Sequence, residues 1–179
     1  NADKQEFGAI LPLKPSWIYG VAVTNVAKSS CNFSTYDWKT GKYDYTHHIP
    51  VMEMWKGIQD DGSMFPGILN MDDDAARAQF AQGKIGMRIG ASYDCAVLTE
   101  QFPAVCDWGV APIPTLNENE RYATSASVNS VLCINKKAVD LLGEETAMEI
   151  YKWFHGDEMM TALYEEGMEI PAKSGLIEK

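Results

Sequence analysis

The sequence lacks an apolar run long enough to cross a bilayer, and it is short of basic residues. Its 179 residues carry 15 Lys and Arg against 25 Asp and Glu, which gives a net charge of −10. Proteins that bind nucleic acid cluster Lys and Arg against phosphates, so the expected partners do not include nucleic acid. The glycine motifs that hold phosphates and the G-x-S-x-G motif of hydrolases are missing as well.

Cysteine is sparse, and its spacing predicts neither a metal site nor a cofactor. The four positions are Cys31, Cys95, Cys106 and Cys133. They form no C-x-x-C pair and have no His partner at a metal-site interval. Cys133 lies in the apolar run V-L-C-I and is expected to pack as a small hydrophobic residue. The sequence favours thiols at Cys95 and Cys106, although a bridge between them in an oxidising compartment depends on geometry.

No local signature marks a catalytic residue or a metal ligand. The adjacent pair His47 and His48 would point in different directions on a strand or a helix, and we expect a solvated loop pair there. The acidic runs 60–61 and 72–74 lack the spaced oxygen ligands of a calcium loop and fit helix ends instead. We therefore predict a protein without catalytic residues and without metal.

The first half of the chain alternates strand and helix signals. Residues 7–13 are predicted to form a buried strand, and Ser16 is a predicted N-cap for the helix that follows Pro15. Trp17, with Val21 and Ala22, is placed on the inward side of that helix. Aromatic residues flank the T-G-K turn within 37–45, which predicts a hairpin or an extended excursion.

Two further helices are predicted from caps and spacing. Pro50 suits the first turn of one helix, Gly62 its end, and an inward stripe follows the i, i+3, i+4, i+7 pattern: Val51, Met54, Trp55 and Ile58. The carboxylates of 72–74 open the next helix, which ends at Gly83.

The second half adds strands and acidic helices. Strands are predicted at Ile85–Ile89, Trp108–Ile113 and Val128–Asn135, and helices at 144–154 and 157–167. Strands separated by helices predict an α/β fold with a largely parallel sheet. Ligands in such sheets lie beyond the carboxyl ends of strands, so the loop Gly90–Asp94 is an expected site on fold grounds alone.

The run from Phe80 to Pro114 carries a resemblance to a known family. It reads F-A-Q-G-K-I-G-M-R-I-G-A-S-Y, then a short amphipathic stretch, then D-W-G-V-A-P-I-P. It resembles a segment of the extracellular solute-binding proteins of ABC importers, in the sugar-binding (family 1, maltose-binding-protein-like) branch, where F-x-x-G-K-x-A-M leads to G-V-x-x-x-P. Gly86 departs from the usual Ala, and Tyr93 sits about where Trp is common.

This resemblance implies a periplasmic-binding-protein-like type II lobe within a protein about twice as long. Residues 1–124 would be the second lobe, and 125–179 a segment returning to a first lobe. The implied function is capture of an extracellular carbohydrate by closure of two lobes, followed by delivery to membrane permease subunits, with no chemistry. The implied location is extracellular, as a membrane-tethered lipoprotein, or periplasmic. The present chain either closes into one compact domain or buries an exposed edge against another copy.

Ligand contacts are expected where aromatic rings and small polar groups open a helix. Rings offer flat faces to the C–H side of a sugar, and polar groups meet its hydroxyls. From the residues alone, Tyr93 reads equally well as a ring packed on its own helix, Trp17 equally well as core, and Ser16, Ser92 and Asp94 equally well as N-caps. With the resemblance, the expected ligand-binding residues are Tyr93, Trp17, Ser16, Ser92, Asp94 and Tyr122, and the weaker candidates are Tyr36 and Trp38.

Two other functions stay open at this point. One is a binding protein of the same fold for an amino compound, a peptide or a metal complex. The other is a glycoside-acting enzyme domain, which needs two carboxylates across one bond. The many Asp and Glu residues permit that enzyme, but no local pattern singles out a pair.

Overall fold

The computed structural model describes residues 5–124, 132–167 and Gly175. The described residues have a mixed α/β fold with a small parallel sheet and flanking helices. They fall into two compact units, a larger one from 5–90 and 98–124 and a smaller one from 91–97 and 132–167. The assignment of residues 1–124 and 125–179 to two lobes of a larger protein stays a prediction.

The parallel sheet is built on the first strand. Strand β1 (Phe7–Ile10) pairs with the later strand Ile85–Arg88, with Phe7 opposite Ile85. On the other side of β1, the N–H groups of Gly8 and Ala9 donate to the Ser63 carbonyl at 2.8 and 3.1 Å. The sheet is therefore parallel, as predicted, but within the described residues it is narrower than a largely parallel sheet of several long strands.

A helical run follows β1. It consists of α1 (Trp17–Tyr19), a π-helical stretch at Gly20–Asn25, and α2 (Val26–Ser30). Ile18 and Ala22 are buried, whereas Trp17 is 37% exposed, so the prediction that Trp17 faces inward was wrong. The wider turns of a π-helix shift the inward stripe away from a 3.6-residue period. Ser16 occupies the N-cap position as predicted, although its side chain makes no capping hydrogen bond.

The hairpin and the helix after it match the prediction. Strands β2 (Tyr36–Asp37) and β3 (Lys42–Tyr43) are antiparallel. A 3₁₀ turn (Thr46–His48) then leads into α3 (Ile49–Asp60), which has Pro50 in its first turn and Val51 fully buried. Gly62, with φ of +79°, follows the helix, and only glycine takes that conformation without steric cost.

The following helix and strand also lie where the sequence places them. After a 3₁₀ turn (Ile68–Asn70), the Asp72 carboxylate accepts a hydrogen bond from the Ala75 N–H at 3.0 Å and caps α4 (Asp73–Ala81). Strand β4 (Ile85–Arg88) comes next. The alternation of buried and exposed side chains along β4 is broken at Met87, which is exposed although Ile85, two residues before it, is buried. The Arg88 side chain is buried instead and pairs with Asp73 at 3.1 Å.

The strand predicted at Trp108–Ile113 is wrong. After α5 (Asp94–Ala96) and a π-helical stretch (Val97–Gln101), residues 102–124 are irregular. Pro112 and Pro114 have no N–H to donate to a sheet ladder, which accounts for the absence of pairing in this described segment. Of the strand predicted at Val128–Asn135, residues 128–131 lie outside the described residues, and 132–135 are irregular.

Besides α5, the described part of the smaller unit contains the helices α6 (Lys136–Leu142), α7 (Glu144–Phe154) and α8 (Asp157–Glu165). The helices α7 and α8 confirm those predicted at 144–154 and 157–167, and Ala147 is buried on α7 while Ile150 and Phe154 are exposed. Cys133 is exposed, so the prediction that it packs as a core residue was wrong. The described residues beside it, 132 to 135, form no strand that could enclose its side chain.

The core of the larger unit consists of three apolar clusters. One joins β1 to α1 through Ala9, Leu11 and Ile18, and another joins β4 to α4 through Ile85 and Phe80. The third packs the helical run against α3, through Val23, Val26, Ala27 and Val51. None of the described helices combines the length and the apolar character needed to cross a membrane.

The close approach of β1 and β4 gives a prediction for Gly86→Ala. A Cβ at Gly86 would lie 3.0 Å from the Gly8 carbonyl oxygen, and backbone must shift to admit it. We expect the free energy of unfolding in urea to fall by about 1–3 kcal/mol. The matched control is Gly57→Ala inside α3, where no atom lies within 4 Å. This control should raise stability by about 0.5–1 kcal/mol. Equal effects of the two substitutions would contradict the close approach.

Candidate functional site

A row of exposed aromatic rings is the most prominent surface of the larger unit. We call it the aromatic strip, and it consists of Tyr36, Trp38, Tyr43 and Tyr45 on and beside the hairpin. The Tyr36 ring lies 4.9 Å from that of Trp38 and 4.8 Å from that of Tyr43, and Tyr43 stacks nearly parallel on Tyr45 at 5.8 Å. Trp38 is 87% exposed, Tyr43 65% and Tyr45 50%. Ring faces of this size, open to solvent, are suited to contact with a ligand.

Local hydrogen bonds explain why the sequence presents these rings. The Asp37 carboxylate accepts from the Thr40 hydroxyl at 2.7 Å and from the Lys39 N–H at 2.8 Å, and Gly41 takes a φ of +67° to close the turn. These bonds lower the pKa of Asp37, chiefly through the Thr40 hydroxyl. The Asp37 carboxylate is therefore ionised at neutral pH, and its hydrogen bonds order the turn, on which Trp38 is exposed to solvent.

Asp44 orders the other end of the hairpin in the same manner. It accepts hydrogen bonds from the Thr46 hydroxyl at 2.6 Å and from the Thr46 N–H at 2.9 Å. These bonds, the one from the hydroxyl above all, lower the pKa of Asp44. The strip thus carries carboxylate and hydroxyl groups directly beside its rings.

His48 connects the aromatic strip to the helical run. Its ring lies 5.2 Å from that of Tyr45 and 5.6 Å from that of Tyr19, and its Nδ1 is 2.7 Å from the Tyr19 hydroxyl. His48 is only 3% exposed, so the prediction that His47 and His48 form a solvated pair was wrong for His48. Within the described part of the chain, its Nε2 has no hydrogen-bond partner. Desolvation, followed by repulsion from His47, lowers the pKa of His48.

An open cavity of about 320 Å³ is lined in part by the 3₁₀ turn that follows the hairpin, through Thr46 and His47. Its walls are partly apolar, with contributions from Ala27, Pro50 and Leu116. Cys31 and His47 also line it, and the Cys31 Sγ lies 3.4 Å from the His47 Nδ1. A thiol beside an imidazole is the pairing that cysteine nucleophiles use, so its environment matters.

That environment does not activate the thiol. Cys31 follows the last residue of α2, and its Sγ donates to the Ala27 carbonyl at 3.5 Å. Burial raises the pKa of the Cys31 thiol. Reactive cysteines have a lowered pKa, at the start of a helix or beside a cation, whereas this one sits at a helix end whose carbonyls disfavour a thiolate. The pair is therefore poorly placed for nucleophilic catalysis.

The structure places the sequence-predicted site residues in separate locations. In the larger unit, Ser16 and Trp17 are exposed at the start of α1. Tyr122 lies at the other end of the helical run, where its N–H donates to the Ser29 carbonyl at 3.0 Å and its hydroxyl bonds to Glu120. Ser29 is 12 residues beyond Trp17, or roughly 18 Å at helical rise. The larger unit therefore does not bring Trp17 and Tyr122 together.

The remaining predicted residues form one turn of the smaller unit. Ser92 is exposed and Tyr93 is partly buried, immediately before α5. Neither Ser92 nor Asp94 caps that helix, so this prediction was wrong. Asp94 is the first helical residue, and its buried carboxylate instead accepts the Ala91 N–H at 2.8 Å, which closes the turn. Asp94 thereby has a structural task, while the ring of Tyr93 keeps an accessible part.

The sequence alone placed Tyr36 and Trp38 of the hairpin among the weaker ligand-binding candidates, and it did not predict the pairing of Cys31 with His47. The available signal for the strip was the density of rings in Y-D-W-K-T-G-K-Y-D-Y. For the pairing of Cys31 with His47 the sequence carries no signal, because the two residues are 16 positions apart and belong to no recognised motif. Among the residues that the structure describes, no group of three or more His, Cys, Asp or Glu is arranged to hold a metal ion. All four cysteines are thiols, and no bridge joins Cys95 to Cys106.

No protein-family model matches the chain, and no curated protein matches it.

Replacing Tyr19 tests the connection through His48. Tyr19→Phe keeps the ring contact but removes the hydroxyl, and it leaves the buried Nδ1 of His48 without its partner. We expect the free energy of unfolding in urea to fall by about 1–3 kcal/mol. Tyr164→Phe on α8, a residue that is exposed, is the matched control and should change nothing. Equal stability of the two variants would show that the hydroxyl bond contributes nothing.

His48 also predicts a pH dependence. Because its pKa is lowered in the folded state, the unfolded chain binds a proton at a higher pH than the folded chain does. Stability should be fully present above the ordinary histidine pKa of 6.5 and should be lost as the pH falls from there through the lower folded pKa. The groups acting on the ring are Tyr19, Tyr45, His47, Asp44 and Lys28. Urea midpoints between pH 7.5 and pH 5 should fall less steeply in His48→Gln, with His155→Gln on the exposed surface as control.

Proposed function

We propose that this protein binds a carbohydrate and does not transform it. In this proposal the chain is the second-lobe portion, with its return segment, of the solute-binding protein of an ABC importer. Its fold would then be the periplasmic-binding-protein-like type II fold. The mixed α/β architecture with a parallel strand pair supports this proposal at the level of fold class only.

The single observation that carries the proposal is the solvent exposure of the aromatic strip. Sugars present C–H faces that pack on flat rings and hydroxyls that bond to planar polar groups. Trp38, Tyr43 and Tyr45 supply ring faces. Asp37 and Asp44 supply ordered carboxylates beside them. Large apolar rings left in water are unfavourable unless something covers them, and a sugar with polar edges fits this mixed surface.

Capture by two lobes needs no reacting group. A ligand that contacts both lobes only in the closed form draws the equilibrium toward that form, and membrane permease subunits would then recognise it. One lobe alone should bind weakly, since it supplies only part of the contacts. The location that goes with this function is extracellular, as a tethered lipoprotein, or periplasmic.

Two rival functions are separated from sugar capture by different observations. A binding protein for an amino compound, a peptide or a metal complex would use the same fold, and a thermal-shift screen of these classes beside sugars separates them. A glycoside-acting enzyme needs two carboxylates poised across a bond. Asp94 is buried and accepts the Ala91 N–H. The hydrogen bonds that Asp37 and Asp44 accept lower the pKa of both carboxyls, whereas the general acid of a glycosidase needs a raised pKa. We therefore place the enzyme behind capture.

Removing one ring of the strip tests the proposal. Trp38→Ala should weaken binding of soluble polysaccharides by about 0.5–1.5 kcal/mol, because one stacking face is lost. The measurement is retardation of the chain in native gels that contain each polysaccharide, which detects weak binding. Trp153→Ala is the matched control, since Trp153 is also exposed but lies on α7. Equal retardation of both variants, or none with the unaltered chain, would contradict the proposed role of the strip.

Tyr93 has a separate test. If its ring contacts the sugar, Tyr93→Ala should weaken binding by about 1–3 kcal/mol through lost stacking and burial. Calorimetry with the sugar that gives the largest thermal shift measures the difference. Unchanged affinity would remove Tyr93 from the ligand site and leave the aromatic strip as the only surface of the proposal.

A further inference from the structure

His48 is a buried imidazole with one bonded nitrogen and one without a partner. The side chain is 3% exposed, and its Nδ1 lies 2.7 Å from the Tyr19 hydroxyl. Among the described residues, its Nε2 has no hydrogen-bond partner. Buried polar atoms are nearly always bonded, so an exception needs an explanation. We propose that His48 is a pH latch: protonation of its ring releases the 3₁₀ turn that carries it, and with that turn Tyr45, so that the aromatic strip binds its ligand less tightly as the pH falls.

The buried position of the ring suits the neutral form better than the charged form. A neutral imidazole has one N–H and one lone pair, whereas an imidazolium has two N–H donors. The Tyr19 hydroxyl can bond to Nδ1 in either form, but Nε2 of the imidazolium would be a charged donor without an acceptor. A buried charged group without a partner costs more than a neutral one. The proton therefore binds more readily when the ring reaches water.

Aromatic rings enclose His48 and offset only part of this cost. The rings of Tyr19, Phe33 and Tyr45 have their centroids 5.6, 5.8 and 5.2 Å from that of His48. A cation is attracted to an aromatic face, but desolvation is the largest influence on the pKa of His48, and it lowers that pKa. The neutral ring is therefore the form that this enclosure stabilises.

The charged neighbours of the ring act in opposite directions. His47 and Lys28 repel a charge on His48 and lower its pKa further, while Asp44 attracts that charge and raises the pKa. The titratable and charged groups that act on the ring come from the helical run, the end of the hairpin and the turn itself: Tyr19, Lys28, Asp44, Tyr45 and His47. Their sum leaves the pKa of His48 below the ordinary histidine value of 6.5. The closed turn is therefore most stable above pH 6.5 and loses stability as the pH falls from there through the lower pKa of the buried ring.

The turn that carries His48 also holds Tyr45. The His48 N–H donates to the Tyr45 carbonyl at 2.9 Å, and the Tyr45 ring stacks on that of Tyr43 at 5.8 Å. When the His48 ring leaves its position, Tyr45 loses a ring contact and a backbone hydrogen bond together. Val51, three residues further along in α3, is fully buried, so the opening stays local.

The consequence for the ligand rests on the proposed carbohydrate binding, whereas the opening of the turn does not. Tyr45 supplies one of the ring faces of the aromatic strip. Once that ring moves freely, ordering it again takes up part of the binding energy, and the affinity falls.

NMR contacts between rings detect the opening without any ligand. The nuclear Overhauser signal between the rings of Tyr43 and Tyr45 should be present at pH 7.5 and should fall at least about threefold at pH 5.5. The signal between the rings of Phe7 and Phe65, 5.1 Å apart at β1, is the internal control and should persist at both pH values. In His48→Gln, whose new side chain does not titrate, the signal between Tyr43 and Tyr45 should be the same at both pH values.

Three more variants separate His48 from the other histidines. His155→Gln, at an exposed position, should behave as the unaltered chain does. His47→Gln removes a neighbour that repels the charge, so the opening should begin at a higher pH. His48→Phe fills the same space with a ring that carries no proton, and it decides the question if His48→Gln does not fold.

Calorimetry at the two pH values separates the latch from carbohydrate binding. With the soluble polysaccharide that retards the chain most, the affinity of the unaltered chain should fall at least about threefold at pH 5.5, and that of His48→Gln should not change. Loss of the signal between Tyr43 and Tyr45 in a chain that no polysaccharide retards supports the latch and contradicts the carbohydrate proposal. Equal affinity of the unaltered chain at both pH values, a ring signal that survives at pH 5.5, or one that is lost equally in His48→Gln overturns the latch.

Discussion

The parallel pairing of β1 with β4 is the contact on which the larger unit depends. It is tight because Gly86 faces the Gly8 carbonyl, where a Cβ would sit 3.0 Å from the oxygen. One apolar cluster joins this pair to α4 and another joins it to the helical run. A wider spacing would loosen both clusters, because protein interiors tolerate little change in volume. The third cluster packs the helical run against α3, and the 3₁₀ turn joins the start of α3 to the end of the hairpin.

The segment from Asp44 to His48 distributes side chains to three surroundings. Tyr45 joins the aromatic strip, His47 reaches the cavity, and His48 is buried against Tyr19. In a 3₁₀ turn the side chains of residues i and i+3 eclipse, so Tyr45 and His48 lie on one side of the segment with their rings 5.2 Å apart, and His47 leaves it about 120° away, toward the cavity. One short turn can therefore serve an exposed surface, a cavity wall and the core together. The strip and the cavity are neighbours for that reason.

Much of the fold was predictable from local signals. Asp72 and Gly62 mark helix ends, Pro50 marks a helix start, and the T-G-K turn marks the hairpin, since each depends on chemistry within a few residues. Errors came where local signals are insufficient. Ile18 rather than Trp17 is buried, in a helical run whose π-helical stretch departs from the 3.6-residue period, and Pro112 removes a donor from a strand-like run. The burial of His48 and the approach of Cys31 to His47 depend on tertiary packing, which spacing along the chain does not encode.

The hairpin itself is only two residue pairs long, and ribbons of that size do not persist in water by backbone bonding alone. Its shape is held instead by ring contacts and by the carboxylate turns at its two ends. A molecule that settles on the rings would therefore also slow the opening of the hairpin backbone. Protection against deuterium uptake of the Gly41 and Asp44 amides, which donate to the Asp37 and Thr35 carbonyls, would then report occupancy of the aromatic strip.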